Sequence, residues 1–557
     1  DGDKIRFRQG TPEKIGGWTQ ISTSTFEGVC RSLHNWVTLG GQNLIGVGTH
    51  LKFYISNVGN YNDVTPIRAT VSLSNPFTTV SGSAVVTVTD ANGGYQDGDY
   101  VTFSNASAVG GLTIDGEFVV SLSVTTAANS YNITASSNAT SSATGGGTVS
   151  AAYQINVGNP FAVPIEGWGA SSWGSGAWNV GESSTTAIRF FSQSNFGEDL
   201  IFGNNGGSIF YWDATGSVTT RAVLLSTLSG ASDVPVVQNL ILVSDISRFV
   251  FCFGTNEIGS NTIDPTLLRW SDQEDATNWT PSATNQAGSL RLSRGTKIVA
   301  ASQARQEVLV WTDSSLYSLQ YVGAPAVWAA TLVGENISIS SQNAVAYANG
   351  VAYWMGKDKF YMYDGRTQPL KCDVRKYIFN DFNTAQYSQV FSGTNESFHE
   401  VWWFYCSDGE TNIDKYVIYN YLDKIWYYGT LARTAWLDSG LRDSPLAATY
   451  TLNLVDHESG VDDNQTTSTA AISAFIESSD FDIGDGDRFS LVNRVVPDVS
   501  FDGSTATNPA ATLTLHALAS SGSGRNSPVS EGGVNNATVT RTATSPVEVF
   551  TDLINIR

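Results

Sequence analysis

The sequence predicts an all-β fold: a β-propeller of about six blades, an inserted small β-domain, and a C-terminal β-domain. Three observations carry that expectation. Turn formers are dense, with 53 Gly among 557 residues and heavy use of Ser, Thr and Asn. Long runs of Ala, Leu, Glu and Lys are few, and only two Met occur. One hairpin pattern recurs: an apolar strand, a tight polar turn, and a second strand with paired aromatics.

That hairpin is seen as "LIGVGTHLKFYI", "LIFGNNGGSIFYWDATG", "LILVSDISRFVFCFG", "VLVWTDSSLYSLQYVG", "VAYWMGKDKFYMYDG" and "YVIYNYLDKIWYYGTL". Tyr54, Tyr211, Phe251, Tyr317, Tyr361 and Tyr419 anchor the six copies. From Tyr211 onward the gaps are 40, 66, 44 and 58 residues. The gap of 157 between Tyr54 and Tyr211 falls to about 66 without residues 67–157. Propeller blades repeat every ~40–50 residues, and loops stretch that period. A single hairpin cannot bury its apolar face, whereas radial stacking buries each face against a neighbour. One or two β-sandwiches are the alternative source of regular short strands.

Length and texture divide the chain. At 557 residues it exceeds the ~250–300 at which a single core stops growing, so several domains are expected. Residues 1–66 begin the propeller or its platform. Residues 67–157 lose aromatics and become rich in Val, Thr, Ser, Ala and Gly, as an inserted small β-domain would. Residues 158–448 are dense in aromatics and hold most of the propeller. Residues 449–557 alternate apolar and polar positions and form the C-terminal β-domain. The chain opens at Asp1 in mid-pattern, so a preceding segment is expected.

The charge balance, 30 basic against 51 acidic residues, gives a net charge of −21. Tight binding to nucleic acid needs neutralised phosphates, which such a surface does not offer. An acidic wall can nevertheless surround DNA and let it slide. No run approaches the ~18 apolar residues of a membrane span, so no membrane anchor is expected. Cys30, Cys252, Cys372 and Cys406 stand singly and read as buried free thiols, and His34, His50, His399, His457 and His516 never fall at ligand spacing with them.

No catalytic, cofactor-binding or metal residue is assigned. Asp480, Asp482, Asp485 and Asp487 cluster, as do Asp456, Glu458, Asp462 and Asp463. Counted from Asp480, the twelfth position of a calcium loop is Leu491 rather than Glu, so turn chemistry explains these acids better. "SDQEDATNW" (Ser271–Trp279) is a poor Asp-box, with Gln273 where Asp belongs and Asp275 where Gly belongs. "GNNGG" (Gly203–Gly207) lies between two strands and reads as a hairpin turn, not a phosphate cradle. "GWGASSWGSGAW" (Gly167–Trp178) suits an aromatic-anchored loop, with a sugar-stacking platform as the alternative.

Four stretches resemble the nozzle proteins of short-tailed phages, also called tail tubular protein B or the packaged-DNA stabilisation type. They are "DGDKIRFRQGTPEKIGGW" (Asp1–Trp18), "LRWSDQEDATNWTPSATNQAGSLRLSRGTKIVAA" (Leu268–Ala301), the run of aromatic hairpins through "HEVWWFYCSDGETNIDKYVIYNYLDKIWYYG", and "FIESSDFDIGDGDRFSLVNRVVPD". Together they cover most of residues 1–66 and 159–500 and leave the insert outside. The resemblance implies a virion protein: a homohexameric ring at the distal end of a short tail, and not an enzyme. Such a ring retains the packaged genome and conducts double-stranded DNA during ejection without binding it specifically. It implies a tail adaptor above, and fibres, spikes or a plug beside or below. The family's N-terminal arm and its continuation past "LINIR" lie outside this sequence. The alternatives are a carbohydrate-binding or depolymerising tail protein, or another hub or baseplate component.

Overall fold

The structure is a computed structural model. It describes the chain except residues 123–128, 163–187, 246, 483–489, 493, 517–538, 548, 551–553 and 557. Two compact units result, residues 20–456 and residues 1–19 with 457–557.

The larger unit is a β-propeller. Six four-stranded antiparallel meanders span residues 30–63, 191–224, 240–291, 298–335, 345–370 and 391–430, here blades 1 to 6. Strands Ala435–Leu437, Leu446–Ala448 and Leu454–His457 are three consecutive strands of a larger sheet and take the place of a seventh blade. The innermost strands are Cys30–Val37, Phe191–Phe196, Leu240–Val243, Ile298–Gln303, Val345–Ala348, Phe391–Asn395 and Ala435–Leu437. They pack side by side in that order, and Ala435–Leu437 meets both Phe391–Asn395 and Cys30–Val37. The circle therefore closes with seven blades, six of them complete within one stretch of chain. The chain itself makes the closure: the backbone amides of Ile21 and Phe26 donate to the carbonyls of Leu454 and Leu452, each at 3.0 Å. The first residues of this unit thus run along its last strand.

Apolar clusters fill every gap between blades. Phe53 of blade 1 stacks on Phe202 of blade 2 with centroids 3.8 Å apart. Ile201 and Ile209 join Ile241 and Val250 between blades 2 and 3. Phe251 meets Trp328 (4.9 Å), Trp311 meets Trp354 (5.4 Å), and Phe360 meets Trp403 (4.9 Å) between the next three pairs. Trp402 stacks on Trp436 of blade 7 at 5.4 Å. Leu446, Ala448 and Leu454 then close onto Ile45, Val47 and Tyr54 of blade 1. Each large aromatic removes ~150–250 Å² from water, a gross gain of about 4–6 kcal/mol before entropy is charged against it. Gly393, on the inner strand of blade 6, leaves room for this packing: a Cβ there would overlap the Trp436 indole.

The aromatic anchors mark the blades. Tyr54, Tyr211, Tyr317, Tyr361 and Tyr419 all lie on third strands, whereas Phe251 lies on the second strand of blade 3. That offset explains the uneven gaps of 40 and 66; anchored on Leu268 of the third strand, they become 57 and 49.

The segment between blades 1 and 2 folds as two four-stranded sheets. One contains Ile67–Ser74, Tyr100–Ser104, Gly116–Val119 and Thr148–Gln154; the other contains Phe77–Thr79, Val85–Thr89, Ser130–Thr134 and Ala143–Gly145. Their facing residues, among them Phe77, Val88, Val101, Phe103, Tyr131 and Tyr153, make a separate core. Ile67 pairs with Gln154, so the module leaves and re-enters the propeller at one place.

The smaller unit draws on both ends of the chain, so residues 1–19 group with the C-terminal stretch and not with the propeller start. Ile5–Arg8 and Thr11–Lys14 form a hairpin. Trp18 pairs in parallel with Asp463, and Ala510–Leu515 pairs with Val539–Thr544. Its compact boundary falls at residue 457, a few residues beyond the texture change at 449.

Candidate functional site

Two features of the larger unit concentrate polar chemistry, and both follow from where the blade connections lie. Inner strands all start on one face of the propeller, and the inserted module emerges there, between the last strand of blade 1 and the first of blade 2.

A charge cluster lies at the root of the module. Lys52, in the turn between the second and third strands of blade 1, is 4 % exposed. Its ammonium lies 2.5 Å from Glu117 of the module, 3.0 Å from Glu27 and 3.7 Å from Asp63. It also sits 4.2 Å above the ring of Tyr100. Arg221 of blade 2 reaches Asp63 at 3.1 Å and Glu117 at 3.6 Å and donates to the Thr65 carbonyl at 2.7 Å. The Gln154 side chain donates to the second Glu117 oxygen at 2.6 Å. Burial alone would lower the Lys52 pKa; the carboxylates, Glu117 foremost, outweigh it and hold it above its ordinary value. One module carboxylate is thus gripped by cations from two blades.

The second feature is on the axis. Arg31, Ser32, Ser302, Asn343, Val345 and Ser392 contribute to the wall of a cavity of about 240 Å³. Its wall draws on the inner strands of blades 1, 4, 5, 6 and 7, which places it at the centre of the ring near the strand starts. Nearby, Gln193 donates to the Ser32 hydroxyl at 2.7 Å, and His34 contacts the Asn195 side-chain oxygen at 3.2 Å. Burial lowers the His34 pKa, and the hydrogen bond with Asn195 opposes that shift.

On the opposite face, Arg305, Glu307, Gln320, Tyr347, Tyr363 and Asp364 line a cleft of about 640 Å³ between blades 4 and 5. Burial first, then Glu307 and Asp364, push the Tyr363 phenol up to about 12.

The residues weighed in the sequence fall as follows. Arg6 grips Glu458 through two bonds of 2.9 and 2.6 Å, and the Gly16 amide donates to Glu458 at 3.0 Å. Asp456 pairs with Arg442 at 2.8 Å, Asp462 accepts from Thr505 at 2.6 Å, and Asp463 accepts from the Gln465 amide. Asp480 and Asp482 are exposed, while Asp485 and Asp487 lie outside the described residues. Gly203–Gly207 spans a hairpin turn of blade 2. In Ser271–Trp279, Asp272 accepts from the amides of Gln273 and Gln286, and Asp275 accepts from Thr277, so these acids shape a turn. Gly167–Trp178 lies outside the described residues. All four cysteines are free, and burial raises each thiol above its ordinary value. Among the described residues, no group of three His, Cys, Asp or Glu is placed to hold a metal ion. No helix among them is long and apolar enough to cross a membrane.

The fold thus defines the class: an all-β protein built on a β-propeller. No protein-family model matches the chain, and no curated protein matches it. Similar solved structures include Hsv2 of Kluyveromyces marxianus, at 9 % identity and TM-score 0.30, covering 52 % of this chain and 81 % of that one. Hsv2p of Kluyveromyces lactis is similar at 12 % identity and TM-score 0.28, covering 49 % and 74 %. The endosialidase of phage phi92 is similar at 12 % identity and TM-score 0.20, covering 88 % and 72 %. None of the three bears on what this chain binds.

Proposed function

We propose that the chain is a structural subunit of a phage tail, assembled with copies of itself into the distal ring, or nozzle, of a short tail. In this role it holds a channel, retains the packaged genome and then lets DNA pass; it performs no catalysis. The observation that carries the proposal is the fate of "DGDKIRFRQGTPEKIGGW", the stretch most specific to the nozzle resemblance. Its residues are used in an architectural joint. Arg6 is 2 % exposed and held by Glu458, Ile15 and Trp18 are buried, and a Cβ at Gly17 would meet the Asp462 backbone at 2.5 Å. A motif spent on joining the two ends of a chain suits a protein whose task is mechanical. The net charge of −21 suits a conduit, since each phosphate gripped would have to be released during passage. Electron microscopy of the purified chain tests the proposal. Closed rings with a through-channel are expected; particles of one chain at every concentration would overturn it.

A second role, binding of a carbohydrate, is favoured by one feature only. The cleft of Arg305, Glu307, Gln320, Tyr347, Tyr363 and Asp364 offers two carboxylates, a guanidinium and two phenol rings. Such groups recognise sugar hydroxyls and stack on sugar faces. Saturable binding of a capsular oligosaccharide, lost on Glu307→Gln, would favour that role over the conduit alone.

A further inference from the structure

Each of blades 1 to 6 ends in an outer strand whose far edge has no ladder partner within its sheet. Natural sheets blunt such edges with short strands, charges, proline or a covering element. Five blades do so. In blade 1 the outer strand ends in Asp63, held by Lys52 and Arg221. In blade 2 it is two residues long. In blade 3 it carries Arg291, paired with Glu257 and Asp264. Blade 5 uses Pro369. Blade 6 is flanked by the short helix Arg375–Asn380, whose Tyr377 stacks on Tyr428 at 4.2 Å.

Two strands lack these devices. The outer strand of blade 4, Val327–Glu335, has nine residues, no proline and no charge before Glu335. Its register with Ser315–Gly323 shifts near both ends, but Trp328–Leu332 pairs regularly. Thr331 and Leu332 are exposed. Among the described residues, the one hydrogen bond reaching its backbone from another blade comes from the Thr367 hydroxyl to the Val333 carbonyl, at 3.1 Å. The module's outer strand, Ile67–Ser74, has eight residues, pairs only with Thr148–Gln154, and is uncharged from Ala69 onward. These two strands do not pair within one copy.

The two edges match. Run antiparallel with Ser72 opposite Thr331, they set Arg68 opposite Glu335, and half-buried Val71 and Leu73 opposite Leu332 and Ala330. Opposite charges and apolar pairs facing across strands stabilise such a sheet. Glu335 is otherwise paired only with exposed Arg294, at 3.5 Å, and exposed pairs are weak. Copies with a net charge of −21 repel one another, and neutral edges are where two can approach.

We propose that Val327–Glu335 of one copy adds to Ile67–Ser74 of the next, extending the module sheet across the subunit boundary. The inference rests on the ring assembly proposed above and names its contact. The contact is heterologous: each copy gives one edge and receives another, as a closed ring requires. Main-chain hydrogen bonds supply the attachment, and Arg68 with Glu335 sets the register.

The test uses the purified full-length chain. Ser72→Cys combined with Thr331→Cys puts two thiols across the joint, where opposed Cα atoms about 4.5–5.5 Å apart suit a disulfide. Mild oxidation should give ladders of cross-linked copies on a denaturing gel, and neither single variant should. Ser72→Lys with Thr331→Lys opposes like charges and should raise the concentration for half-assembly at least tenfold in sedimentation. Ser72→Asp with Thr331→Lys should restore it. Both side chains are exposed, so the fold should persist, as circular dichroism would verify. Should a lysine variant not fold, the cross-link decides alone. Rings that form without the cross-link, or that the paired lysines leave unchanged, would overturn this joint and leave the ring standing. Single chains throughout would overturn both.

Discussion

Replacing Lys52 by Met removes the ammonium from the root of the module while keeping most of its volume. Glu117, Glu27 and Asp63, at 2.5, 3.0 and 3.7 Å from that ammonium, would be left with Arg221, which reaches only Asp63 and Glu117. Breaking a buried ion pair from one side costs ~3–5 kcal/mol, because the remaining charges stay desolvated. Here the carboxylates are less buried than the lysine, with Glu27 56 % exposed and Glu117 31 %. Water can therefore recover part of the loss, and about 2–3 kcal/mol is the expected destabilisation. Glu117→Gln keeps a hydrogen-bonding side chain opposite Lys52 and Gln154 and should cost about 1 kcal/mol. The double variant should cost less than the two single losses combined, with a coupling of about 1 kcal/mol or more. Urea unfolding measures all three, and proteolysis inside residues 67–154 shows whether the module loosens first. A loss under 0.5 kcal/mol for Lys52→Met, or strict additivity, would mean that the cluster does not fix the module.

Three further outcomes follow from the packing and the charges. Gly393→Ala forces a methyl into the Trp436 indole and should destabilise the junction of blades 6 and 7 by about 1–3 kcal/mol, seen as a lower urea midpoint; an unchanged midpoint would contradict the tight blade contact. Joining Pro66 directly to Ile155 removes the module where its ends already meet, and the remaining chain should keep the near-ultraviolet signal of its inter-blade tryptophans; loss of that signal would show the module to be integral. His50 has a folded-state pKa of about 4, below its unfolded value of about 6.5, so the stability from holding it neutral is present above pH 6.5 and lost as pH falls toward 4. Between pH 7 and 4 the unmodified chain should lose about 1–2 kcal/mol more than His50→Asn, a figure reduced for partial exposure, and identical pH profiles would refute the assignment.

The propeller was legible because its unit is local. An aromatic hairpin folds within about a dozen residues, so six blades left readable signatures, Tyr54 to Tyr419. The seventh left none. Its strands are three or four residues long, carry no aromatic pair, and are sealed by residues from the far end of the chain. The union of residues 1–19 with 457–557 was hidden for the same reason, since Arg6 and Glu458 are 452 positions apart. Tertiary contacts of that separation leave no periodicity. The module was visible as a change of texture, because its core is rich in Val and holds no Trp, whereas the blade cores are built around Trp311, Trp354 and Trp403.

The conduit account rests on assembly and on a lumen that does not hold DNA. The most direct test is to image the purified chain by electron microscopy and to titrate the same particles with duplex DNA at physiological salt. The account predicts six-fold rings of the 59.6 kDa chain with an open channel, and no binding below micromolar concentration. Single chains throughout, or sub-micromolar binding with a steep salt dependence, would contradict it.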